Sequence, residues 1–457
     1  MRDQDQGMES FPTPMQVGPA ERPLKIAVVY SRPPLPMTRA DQMTVAHLLD
    51  FLARRGHRVY LYTLDTGEPS TPAQKAWVAE RCHHLHLSPH KLGHSLVGLG
   101  LCLLRGLPLQ VGWFYNPRQV RAVRAALAEE ELDIVYCYYI RSAEAVRPLT
   151  SGNHLPHQQG RSRPVSFLAM QLSQSLNTRR MMKNFRRLRD LAIFALESRL
   201  VRRYEAHIWA DFHRTVLIGP QDLEEVKRVC REYSQPEIDN FLFGPHGVDI
   251  HHYAPRPEIA VDPNTLVFCG VMRTNTNIHA ITWFADQVWP LIKQTEPTAR
   301  LFIVGRRPAA EVLALAAREG ITVTGEVPDP GDYIARAAVC INPMQAGAGM
   351  QNKLLEYLAM GKPVVATAVA NEGIGARAGE HLLIADSAAE FAARILMLFR
   401  DSERRRSLGQ AARSFIEAHW GWEAHFLNLE REMYGALEAA GREEQLAGGP
   451  EKPKFLG

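Results

Sequence analysis

The chain alternates short apolar runs with longer stretches of helical spacing, and the alternation persists from residue 25 to about residue 440. Runs at 25–31 and 57–64 bracket an amphipathic stretch at 42–56, which predicts strand, helix, strand. Further strands are expected over 132–140, 164–170 and 214–219, with helices over 117–130, 178–209 and 221–233. After a proline-rich passage at 253–263 the pattern resumes, with strands over 265–271, 301–305, 321–324, 339–341, 364–366 and 381–384. From 387 onward the spacing is helical. Strands alternating with helices build parallel sheets covered on both faces. The expectation is an α/β fold of two doubly wound, Rossmann-like domains, over 23–247 and 248–418, with disordered tails at 1–22 and 441–457.

Two stretches fit that scheme less simply. A strand through Cys82-His83-His84-Leu85-His86 puts Cys82, His84 and His86 on one face, with Leu85 and Leu87 expected to supply the buried one. No second ligand group lies at a metal spacing, so a solvated face is preferred to zinc. Residues 92–107 are apolar but too short to cross a bilayer. Packing on the domain is the preferred reading, and contact with a membrane is the alternative.

Candidate chemistry concentrates between Val339 and Thr367. Gly347 and Gly349 allow a sharp turn and close backbone approach to a ligand. From Gln351 the spacing is helical, with Leu354, Leu355 and Leu358 on one face, and Gly361 and Pro363 end the helix. A glycine turn feeding a helix start presents free amides that suit phosphate oxygens. Lys353 adds a positive charge in the first turn, and Glu356, one turn on, suits ribose hydroxyls. The alternative is an ordinary strand–loop–helix. In the first domain, Arg39 and Asp41 follow the first strand, and Tyr139, Arg141, Gln171 and Ser173 follow later ones, where doubly wound sheets bind ligands. The arginine-rich stretch 179–203 reads either as a solvated helix face or as a contact for anionic lipid.

The motif Gly349-x-x-x-Lys353-x-x-Glu356-x-x-Ala359-x-Gly361-Lys362-Pro363-Val364-Val365 resembles the donor-binding segment of the retaining GT-B glycosyltransferases of family 4, in the branch found in bacterial exopolysaccharide gene clusters. The resemblance implies two domains facing a central cleft and a nucleotide-sugar donor. It assigns the diphosphate to Gly347, Ala348, Gly349, Met350, Gln351 and Lys353, with Gly270 and Arg273 beside them. It assigns the ribose to Glu356 and the base to Gly325, Glu326 and Val327. Lys353 and Glu356 are the catalytic candidates; Arg39, Asp41, Tyr139, Arg141, Gln171 and Ser173 lie on the acceptor side. Gly247-Val248-Asp249 resembles the family hinge, with His246 where asparagine is usual. Trp420-Gly421-Trp422 marks the point where a last helix, 419–440, returns to the first domain. The sequence departs from the family at Ala348, where many members have glutamate, and at Ala40, where a loop glycine is normal. Gln171 and Ser173 stand near positions that are often aspartate. The resemblance covers most of the chain, strongly in the second domain and weakly in the acceptor half.

Composition narrows the picture further. A chain of 457 residues, 46% hydrophobic and 22% charged, is long enough for two globular cores. A net charge of +4 gives no case for nucleic acid. The six cysteines are scattered in apolar runs without a paired motif, which fits buried thiols and a reducing, cytoplasmic setting. No signal peptide or membrane span is apparent, so any membrane contact is expected to be peripheral, at the inner face of the cell membrane. The expected partners are a nucleotide-sugar, a glycan or lipid-linked acceptor and, through the basic stretch, anionic membrane; no cofactor or metal is expected. Two rival functions stay open: a nucleotide-sugar epimerase on the same scaffold, and a catalytically silent sugar-nucleotide-binding protein.

Overall fold

Two parallel sheets organise the protein, seen in a computed structural model that describes residues 15, 17–37, 39–67, 70–150, 164–182, 188–244, 247–345 and 351–447. The first contains β1 (Lys25–Val29), β2 (Arg58–Asp65), β3 (His84–Pro89), β4 (Ile134–Tyr138), β5 (Val165–Gln171), β6 (Arg214–Leu217) and β7 (Phe241–Phe243), in the order β3-β2-β1-β4-β5-β6-β7. The second contains β8 (Asp262–Cys269), β9 (Arg300–Val304), β10 (Ile321–Gly325), β11 (Ala337–Asn342), β12 (Val364–Ala366) and β13 (Leu383–Ile384), in the order β10-β9-β8-β11-β12-β13. In both sheets the first strand lies inside the sheet and the chain winds outward from it, with helices as crossovers. The central strands β4, β5 and β11 are buried along their whole length, as expected for strands covered on both faces.

The chain divides into two compact units. One takes residues 1–246 and 425–457, the other 247–424. The return to the first unit is made by the helix Trp422–Ala447. Phe426 of this helix packs on Phe51 at 5.5 Å between ring centroids. Glu430, almost fully buried, accepts from Arg55 Nη2 at 2.8 Å and lies 2.6 Å from His57 Nε2.

The structure corrects the sequence reading at several points. Within the expected tail at 1–22, Met15 and Ala20 are buried, and the Ala20 N–H donates to Arg55 O at 2.7 Å; residues 1–14 and 16 lie outside the described residues. The last helix runs to Ala447, past the expected start of the second tail; residues 448–457 lie outside the described residues. Of the stretch 178–209, the described residues form the helices Gln174–Met182 and Leu188–Ile208, and 183–187 lie outside the described residues. On β3, Leu85 and Leu87 are 37% and 43% exposed instead of buried. The strand lies at the sheet edge and only Ser88 is buried on it; His84, exposed, and His86, half-buried, stand 5.8 and 6.0 Å from the Tyr62 ring on the neighbouring strand. Cys82 is half-buried and the other five cysteines are buried, all as free thiols.

Candidate functional site

Three neighbouring strands of the second sheet end in glycines at positive φ. Gly270 follows β8 at 157°, Gly305 follows β9 at 153°, and Gly325 ends β10 at 71°. The Gly270 N–H donates to Val304 O and the Gly305 N–H to Gly325 O, each at 3.0 Å. A Cβ on Gly305 would fall 1.7 Å from Gly270 O. Glycine is therefore required for the strand ends to close on one another.

The helix Asn352–Ala359 begins beside this edge. Its N-cap, Gln351, is extended and its side chain makes no capping bond, and the first amides have no partner within the helix. Lys353 is 9% exposed. Its Nζ donates to Asn277 Oδ1 at 2.5 Å, lies 3.9 Å from Met344 Sδ and sits 4.6 Å from the centroid of the Phe268 ring. Asn277 is fixed in turn by its Nδ2, which donates to Val271 O at 3.1 Å. A Cβ on Gly270 would stand 2.8 Å from Asn277 Nδ2 and 3.5 Å from Lys353 Cε. The bare backbone of Gly270 thus lets the lysine–asparagine pair lie against the strand end.

Burial lowers the Lys353 ammonium to about 8, against the opposing pull of Cys269 and Glu356. Burial raises the half-buried Glu356 carboxyl to about 7, offset by the Lys353 charge and a hydrogen bond from Tyr253. The two groups differ in sign and lie one turn apart on one helix. Nearby, Asn342 at the end of β11 is fully buried, and neither its Nδ2 nor its Oδ1 has a hydrogen-bond partner among the described residues. An amide held dry with both ends unsatisfied is costly, about 1–3 kcal/mol for each group, and suits a site completed by a polar ligand.

Of the remaining donor-side candidates, Arg273 is exposed in the turn after β8, Glu326 is exposed, and Val327 packs against the second unit's core. Gly347, Ala348, Gly349 and Met350 lie outside the described residues. Sequence reasoning did not single out Asn342, Gly305 or Tyr253 for the site. Gly305 carried the same signal as Gly270, a glycine directly after an apolar run. Asn342 and Tyr253 gave none.

The first unit gathers a second constellation at the C-terminal edge of its sheet. Asp41 accepts from the Tyr30 hydroxyl at 2.9 Å and lies 3.5 Å from Arg32 Nε. Arg32 and Arg141 both pack on Phe114, at 5.3 and 5.2 Å from its ring centroid, and Arg141 also lies 4.7 Å from the Tyr139 ring. Desolvation lowers the Arg141 guanidinium from its ordinary value. The Tyr139 hydroxyl accepts from Gln174 Nε2 at 2.7 Å. Tyr139 and Gln171 take positive φ, 71° and 67°, uncommon for residues with side chains. Gln171 is 2% exposed and its Oε1 has no partner among the described residues. Ser173 is fully buried, and its hydroxyl donates to Glu205 at 3.0 Å. Glu205 also receives the Gln174 and Ser175 amides and the Ser175 hydroxyl, so it satisfies the start of the helix Gln174–Met182. Arg39 is exposed at the N-cap of the helix Ala40–Arg54 and makes no capping bond.

Comparison with known proteins places this geometry. Residues 263–401 match the family described as glycosyl transferases group 1. An uncharacterized 44.6 kDa protein in the cps region of Klebsiella pneumoniae is 22% identical over 418 residues, covering 89% of this chain and 99% of that one. Sucrose-phosphate synthase from Thermosynechococcus elongatus superposes with a TM-score of 0.58 at 18% identity, over 91% of this chain and 100% of that chain. Anabaena HepE in complex with UDP superposes with a TM-score of 0.56 at 11% identity, over 90% and 100%. Both structures share the two-sheet plan. Gly270, Lys353 and Glu356 thus lie within the stretch that is similar to the glycosyl transferases group 1 model, and the chain as a whole has the GT-B fold.

Proposed function

We propose that the protein is a glycosyltransferase of polysaccharide assembly, moving a sugar from a nucleoside-diphosphate donor to a glycan or lipid-linked acceptor with retention of configuration and without a metal. The observation that carries this reading is Lys353, buried beside Gly270 at a helix start whose N-cap side chain makes no capping bond, with Glu356 one turn on. The bond from the sugar's C1 to the diphosphate oxygen breaks with its electron pair passing to that oxygen, an acceptor hydroxyl oxygen bonds to C1 in its place, and the hydroxyl's proton passes to the leaving diphosphate. The helix amides and Lys353 stabilise that oxygen's new charge, and preorganised donors of this kind are usually the largest catalytic contribution. Glu356 accepts from the ribose hydroxyls, and Asn342 supplies a further amide at the strand edge. The acceptor binds at the C-terminal edge of the seven-stranded sheet, where Asp41, Tyr139 and Arg141 stand. Support for a nucleotide donor comes from the HepE structure, which holds UDP, and for a polysaccharide setting from the relative in a cps region.

The test is turnover with a panel of UDP-, GDP- and ADP-sugars and a crude glycan or lipid extract as acceptor. Release of the nucleoside diphosphate with one donor, lost in Lys353→Ala, is expected. Tight nucleotide binding with no turnover would leave a silent binding protein, and conversion of the donor sugar to its epimer would identify an epimerase.

A further inference from the structure

The helix Leu92–Arg105 packs through its small residues and turns its large ones outward. Its buried positions are Ser95, Gly98 and Cys102. A Cβ on Gly98 would fall 2.1 Å from Gly112 O, so glycine lets this helix lie directly on the segment Leu109–Phe114. On the other side Leu92, Leu96, Val97, Leu103 and Leu104 are 63%, 58%, 62%, 53% and 87% exposed. With 3.6 residues per turn, these five share one arc of about 140°. Trp113 extends the surface, as do Ile193 and Leu196 on the helix Leu188–Ile208. That helix is a direct neighbour: Glu197, next to Leu196, accepts from the Leu109 and Gln110 amides at 2.6 and 3.2 Å. A surface helix ordinarily faces its apolar stripe inward. An apolar patch facing out marks an interaction site.

Charge decides what covers it. From Arg81 to Ala128 the chain contains no aspartate or glutamate, yet it carries Arg81, Lys91, Arg105, Arg118, Arg121 and Arg124. Lys91 and Arg105 stand at the two ends of the outward-facing helix, and Arg203 Nη1 reaches within 3.6 Å of the Cβ position of Gly106. Aliphatic tips on the helix Leu92–Arg105, with Lys91 and Arg105 at its ends and no carboxylate in its own stretch of chain, match a surface that is apolar within and anionic at its rim, which is a bilayer containing anionic lipid. At 1.5 Å per residue the helix is about 21 Å long, short of the roughly 30 Å hydrocarbon core. No helix among the described residues is long and apolar enough to cross a membrane, so this one lies along the interface. The arginine-rich stretch 179–203 is a weaker candidate, because Arg179 pairs with Glu225 at 2.9 Å and Arg202 pairs with Glu232.

We propose that the helix Leu92–Arg105, with Trp113, is a docking face for an anionic lipid bilayer. The aliphatic side chains enter the acyl region, and Lys91, Arg105 and Arg203 meet the headgroups. The surface stands apart from the sugar-transfer reading and does not depend on it.

Co-sedimentation of the full chain tests it, using vesicles of phosphatidylcholine alone and of phosphatidylcholine mixed with phosphatidylglycerol. The wild type is compared with the double variant Leu96→Glu/Leu104→Glu, whose sites are exposed. The melting curve and nucleoside-diphosphate affinity of the variant serve as checks on its fold. The wild type should bind the anionic vesicles roughly tenfold or more tightly than the neutral ones, and the variant should lose roughly tenfold or more. Equal binding by the two proteins would overturn the proposal, as would failure of the wild type to sediment with anionic vesicles. Self-association of the wild type without lipid, lost in the variant, would overturn it in favour of a second copy of the chain.

Discussion

Lys353 sits where burial and charge oppose each other. Its aliphatic stem and ammonium are packed among Phe268, Met344 and Asn277, and burial lowers its proton affinity to about 8. An incoming diphosphate restores the charge's partner, so binding and protonation are linked. Lys353→Ala should weaken nucleoside-diphosphate affinity by about 1.5–3 kcal/mol, the range for hydrogen bonds to charged groups, as read by calorimetry with the melting temperature as control. The pH dependence has a definite sign. Below about 8 the ammonium is present and binding is at full strength; above it the amine is neutral and affinity falls. Lys353→Met should bind weakly with no such fall. A wild-type affinity that is level through this range, or a Met variant with the same slope, would remove the lysine from the diphosphate.

At the scale of elements, much of the fold was legible because apolar runs and helical stripes report their own covering. Strands β8, β11 and β12 and the helix Asn352–Ala359 follow the sequence pattern within a few residues. What the pattern lacked was knowledge of neighbours. Leu85 and Leu87 have the alternation of a half-buried strand, but edge position is set by the pairing of β3 with β2. Residues 92–107 do pack on the first unit, through Ser95, Gly98 and Cys102, but the stripe did not tell which face would meet the protein, and the large aliphatic side chains stay exposed. Glu205 reads as one charge in a mixed helix, yet it is fully buried and takes four donors at the start of another helix. Glu205→Ala leaves those donors unsatisfied and should destabilise the first unit by at least about 1–3 kcal/mol, without changing nucleotide affinity. Unchanged denaturant midpoints would show that the cap is dispensable. Gly305→Ala places a methyl against Gly270 O. It should lower the stability of the second unit by about 1–3 kcal/mol, the usual cost of overpacking, and weaken nucleotide binding with it. A variant with wild-type melting and affinity would show that the three strand ends need not close as tightly as they do here.

Taken as a whole molecule, the chain is two cores joined by passages at 247 and 424, with the last helix belonging to the first core. Chains with two compact units need not unfold in one step. Glu430 ties that helix to Arg55 and His57. Glu430→Ala should lower the first unit's transition by about 1.5–3 kcal/mol and leave unmoved the transition that a nucleoside diphosphate raises; a shift of both together would show one cooperative unit. The central claim is that the helix Asn352–Ala359 holds a nucleotide donor, with Lys353 on the phosphates and Glu356 on the ribose. The most direct measurement is the calorimetric affinity of the wild type and Glu356→Gln for ribose and 2′,3′-dideoxyribose forms of the same nucleoside diphosphate. The account predicts that the wild type strongly prefers the ribose form and that Glu356→Gln loses most of this preference at little cost in melting temperature. Equal affinity of the wild type for the two forms would contradict it.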